Sequence, residues 1–218
     1  MRERWILLRT TLGFSILFGC TGQRPRQNAE TPSSPAPARS EEVRPERPAT
    51  KRGTIILESD PEPITLKLFD SASASLPLAF TTYIPEDMNP EPAGSGTQKA
   101  IRFVANFGGH REREAYMEVL FYPADTTESA GKSLLQGADS SKEKPAADKR
   151  FKWSLTERDI VSVSKARGRI VGVAALGRHG DRLFQVTLQY PEEFAEGFNP
   201  RDRRILEEGR WSDTNQGL

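Results

Sequence analysis

The chain has 218 residues, a net charge of +1 and 36% hydrophobic residues. This fits one modest domain with appendages. Residues 53–218 carry 21 basic and 25 acidic side chains, and a mildly acidic body excludes nucleic acid as a main partner, because phosphate binding needs a concentrated basic face. A single cysteine excludes an internal disulfide, so the core alone must hold the fold.

Residues 1–19 open with Arg2, Arg4 and Arg9, and residues 10–19 are uncharged and mostly apolar. That run is too short to cross a bilayer as a helix but suits the apolar segment of a secretory signal. It ends in Leu17-Phe18-Gly19-Cys20, which resembles the bacterial lipobox; Phe18 departs from the small residue usual there. The resemblance implies cleavage before Cys20, a diacylglycerol thioether on its sulfur and usually N-acylation. Multiple acyl chains anchor stably where one does not.

Residues 20–52 hold six prolines and no aromatic residue. Such a stretch cannot bury enough apolar area to offset its ordering entropy, and it reads as a disordered tether.

The folded body is expected over residues 53–212, with 213–218 as a flexible tail. Residues 54–57 and 64–69 are two short strands around the turn Asp60-Pro61-Glu62-Pro63. A strand over 78–84 stops at Pro85-Glu86-Asp87-Met88. Ile101, Phe103, Ala105 and Phe107 share one face, and Met117, Val119 and Phe121 alternate after Gly108-Gly109, which predicts an antiparallel hairpin. A helix over 126–136 starts at Asp125 and stops at Gly137. Residues 138–149 read as a loop. Residues 151–155 and 160–163 fit helix or strand. A second hairpin has arms 169–176 and 182–190, and Phe184, Val186, Leu188 and Tyr190 share a face. Asn199 caps a last helix to about Glu208, with Pro200 at its first position. The expected class is α+β, a mostly antiparallel sheet packed by helices.

The order of these elements, with Tyr83-Ile84-Pro85-Glu86-Asp87-Met88, resembles the PsbP family of extrinsic photosystem II proteins. The resemblance implies an α/β/α sandwich and a non-catalytic assembly module, sometimes metal-binding. No ligand set carries over.

His110 and His179, the two histidines, lie in predicted turns. If both hairpins point the same way, the histidines meet and join Glu112 and Asp181 in a His/carboxylate metal site; polar residues in turns are the plainer reading. No Gly-X-Ser-X-Gly elbow is present, and Gly131-Lys132-Ser133 lacks the first P-loop glycine, with Thr126 in its place. Arg201 and Arg204 on the last helix are candidates for docking an acidic partner, against a solvated face with i,i+3 and i,i+4 pairs.

The sequence therefore predicts a lipid-anchored, extracytoplasmic binding or assembly module with a protein partner. One alternative is a metal-binding protein or hydrolase centred on His110 and His179. Another is an envelope protein holding a small apolar ligand between sheet and helix; an unfilled pocket there would support it.

Overall fold

The computed structural model describes residues 46–136 and 149–218. Cys20, the signal segment and nearly all of the tether lie outside these residues, as does most of the loop placed at 138–149.

Ten strands and two helices follow one another as β1 (Thr50–Leu57), β2 (Asp60–Asp70), β3 (Phe80–Pro85), β4 (Met88–Ala93), β5 (Lys99–Phe107), β6 (His110–Phe121), α1 (Glu128–Gln136), β7 (Thr156–Ser164), β8 (Gly168–His179), β9 (Arg182–Pro191), α2 (Ala195–Glu208) and β10 (Arg210–Trp211). They form two antiparallel sheets, ordered β1-β2-β3-β10 and β4-β5-β6-β9-β8-β7. The fold is thus β-rich, which corrects the expected α+β class and the α/β/α sandwich. Two short helices accompany far more strand than the sequence pattern revealed.

The added strands have physical explanations. β1 and β2 turn at Glu58-Ser59, where φ is 49° and 77°, the left-handed pair of a tight hairpin. Pro61 and Pro63 therefore lie inside β2, beyond the stretch Leu66–Asp70 that β3 flanks, so their missing N–H breaks no ladder bond on that side. β4 contains Pro90 and Pro92 and is an edge strand, for the same reason. The turn Glu86-Asp87 carries the chain from one sheet to the other, and the Asn106 amide donates to the Asp87 carbonyl at 2.8 Å.

The main core lies between the two sheets and α2. The fully buried Phe103, Met117, Val119, Phe121 and Val186 of the six-stranded sheet meet Phe80 of β3 and Phe198 and Ile205 of α2. Phe69 of β2 stands edge-on to Phe103 at 5.2 Å. Each such side chain contributes about 1.5–3 kcal/mol on burial. A smaller cluster of Tyr122, Leu135, Ala174, Leu176 and Leu183 lies under α1 on the opposite face of that sheet.

Boundaries also move. Residues 46–52 belong to the body: Arg47 donates to the Glu208 carbonyl at 2.9 Å, and the Tyr83 hydroxyl donates to the Pro48 carbonyl at 2.8 Å. The tail placed at 213–218 folds back instead. The Leu218 amide bonds the Gly209 carbonyl, and its side chain is buried in the main core. α1 is capped by the Thr127 hydroxyl, which accepts from the Ala130 amide, not by Asp125. α2 begins four residues before Asn199, so Pro200 lies within it.

Candidate functional site

The sheet order separates the two histidines. β6 pairs with β9 so that Phe121 faces Phe184 and Tyr116 faces Gln189. The β5–β6 turn therefore projects from one end of the sheet and the β8–β9 turn from the other. β6 is 12 residues long, which at about 3.3 Å per residue puts roughly 35 Å between His110 and His179. They cannot share a metal ion. Each predicted ligand has other surroundings. Glu112 is paired with Arg167 at 2.5 Å. Asp181 is exposed in the β8–β9 turn. His179 stacks on Trp211 at 4.3 Å and bonds the Asp213 carboxylate at 2.9 Å, which holds that carboxyl below its usual range. Among the described residues no group of three His, Cys, Asp or Glu side chains is placed to hold a metal.

The two arginines proposed for docking also have partners within the protein. Arg201 donates to Asp87 at 2.8 Å and to the Gly197 carbonyl at 2.6 Å, and its guanidinium lies over Phe107. Arg204 donates to the Thr54 carbonyl at 2.7 Å and pairs with Glu207 at 3.3 Å. Together they fasten α2 to the β3–β4 turn and to β1.

A different site emerges from the packing of α2. This helix packs mainly on β3 and β1, meets β9 only in part, and leaves space over β8 and β9. A cleft of about 780 Å³ remains, floored by Val173, Leu188 and Tyr190 and walled by Phe151 and by Leu206 of α2. That volume lies within the range of about 300–1,000 Å³ typical of small-molecule sites. The Phe151 wall is held from two sides. Glu157 accepts from the Arg150 and Phe151 amides and from the Ser154 hydroxyl at 2.7–2.9 Å. Phe151 also stacks on Trp153 at 5.1 Å, and Trp153 lies against Phe184. Gly177 makes that stack fit, since a Cβ there would be 2.5 Å from the Phe184 ring and 2.8 Å from Trp153.

Asp202 lines the cleft although only 4% exposed. Burial pushes its carboxyl up to about 7, and the Arg203 amide and guanidinium offset only part of this. A buried titratable group with a raised pKa lining a cleft is a recognised sign of a functional site. The sequence alone does not mark Asp202 as a site residue. A usable signal was present: Phe198, Asp202 and Ile205 follow an i, i+4, i+7 spacing, so the acid interrupts the buried stripe of α2.

The fold and the cleft define a β-rich two-sheet domain with an open pocket between sheet and helix. No protein-family model matches the chain, and no curated protein is significantly similar to it.

Proposed function

We propose that the protein is a membrane-tethered, extracytoplasmic lipoprotein whose body is a non-catalytic binding module, and that this module takes a small ligand in the cleft between β8–β9 and α2. The lipobox-like Leu17-Phe18-Gly19-Cys20 and the proline-rich segment after it support the tether. The unfilled cleft of about 780 Å³ supports the ligand over a protein-only assembly role. Its lining combines apolar Phe151, Val173, Leu188 and Leu206 with polar Asn199, Asp202 and Arg203 from α2, a mixture suited to an amphipathic molecule.

Two measurements test the two halves. Metabolic labelling of the full-length protein with an alkyne fatty acid in a bacterial host should label it, and Cys20→Ala should abolish the label. Equal labelling of the two, or none in either, would reject the anchor. Organic extraction of the purified full-length protein, followed by mass spectrometry, should yield a bound small molecule that is missing from Leu206→Trp, in which the indole fills the cleft. An identical extract from both would reject the cleft as the binding site.

A further inference from the structure

The charged groups around the cleft divide into matched and unmatched. Arg150 is paired with Asp159 at 2.9 Å. Glu207 is paired with Arg204 at 3.3 Å. Arg203 lines the same cleft and is exposed; its charge acts on the buried Asp202 carboxyl, but among the described residues no hydrogen bond or ion pair holds its guanidinium. The apolar floor of Val173 and Leu188 and the apolar walls of Phe151 and Leu206 lie beside it.

We propose that the cleft binds a single-chain amphipathic carboxylate, with its hydrocarbon chain along Phe151, Val173, Leu188 and Leu206 and its head group on Arg203. This rests on the reading of the cleft as a ligand site and names the ligand class. The planar guanidinium presents parallel N–H donors that match a carboxylate in a two-point contact. Asp202 does not oppose that anion as an ordinary aspartate would. Burial raises its carboxyl to about 7, so its negative charge beside the head group is incomplete near neutrality and grows as pH rises. The apolar channel contributes through length: each methylene taken from water strengthens binding by up to about fourfold.

Titration calorimetry on the full-length protein, unlipidated through Cys20→Ala, tests this at pH 7.5 with octanoate, decanoate and dodecanoate. Dodecyltrimethylammonium and dodecyl maltoside serve as head-group controls. All amphiphiles are kept below their micelle concentrations. Affinity should rise with chain length, and dodecanoate should bind one to one, at least tenfold tighter than either control. Arg203→Ala should weaken dodecanoate by about tenfold or more, and Arg203→Lys should recover part of the loss. Arg203 is exposed, so both variants should melt like the parent. Equal binding of all three head groups, or an Arg203→Ala variant with undiminished affinity, would overturn the carboxylate assignment while leaving the cleft as a binding site. No binding of any amphiphile, or binding that Leu206→Trp leaves intact, would overturn the cleft reading itself.

Discussion

The two faces of the six-stranded sheet are finished in opposite ways. On the face toward α1, a row of polar side chains on β5, β6 and β9 is paired. Arg102 pairs with Glu118 at 2.7 Å and lies over the Tyr116 ring. Tyr116 donates to Gln189, Tyr122 donates to Gln185, and Gln185 donates to Thr187. Cross-strand neighbours thus use up each other's donors and acceptors, and α1 covers the apolar remainder. On the face toward α2, an aromatic core occupies β5 and β6, but the packing stops short over β8 and β9. There a buried acid and an exposed arginine border open space. The polar groups of the first face support the fold. On the second face the buried Asp202 opposes folding once it ionises.

The largest expected effect breaks the shared core. Phe103→Ala, at a fully buried position between the sheets, should cost about 3–5 kcal/mol, read as the urea midpoint at constant slope. Next comes Asp202. Its carboxyl is raised from 3.8 to about 7 in the folded protein, so ionisation opposes folding. Stability linked to this group is fully present below pH 3.8, falls as pH rises toward 7 and stays low above it. Asp202→Asn removes that loss and should stabilise the protein by on the order of 2–4 kcal/mol at pH 8, with little gain at pH 4. Urea unfolding of both proteins across that range checks the sign.

Glu157→Ala removes the acceptor that orders residues 150–154. It should cost about 2 kcal/mol and also loosen the Phe151 wall, with weaker dodecanoate binding as the second readout. The smallest effect belongs to the self-satisfied face. A double-mutant cycle on Arg102 and Glu118 should give a coupling of about 0.5–1 kcal/mol, and Arg102→Ala should leave dodecanoate binding unchanged.

The parts of this molecule that were legible in its sequence are those governed by local period. The hairpins around Gly108-Gly109 and Gly180 declare themselves through alternation at Ile101, Phe103 and Ala105 and at Phe184, Val186 and Leu188. β4 was invisible because Pro90 and Pro92 contradict a strand unless its edge position is known. β10 is only two residues long and is defined by its partner Phe80-Thr81. The metal expectation failed on sheet order: both hairpins are present, with His110 and His179 as terminal strand residues instead of turn residues, and only the β6–β9 pairing determines that the two turns point apart. Pro200 was read as a helix start, which removed Phe198 from α2 and hid the stripe on which Asp202 lies. The cleft itself is a mismatch between a helix and a sheet, and no local pattern encodes it.

Methyl NMR of the Cys20→Ala full-length protein during a dodecanoate titration tests the contrast between the two faces most directly. The account predicts saturable shifts for the methyls of Val173, Leu188 and Leu206, with those of Ala174, Leu176 and Leu183 under α1 unmoved. Shifts confined to the α1 side, or spread evenly over both faces, would contradict it.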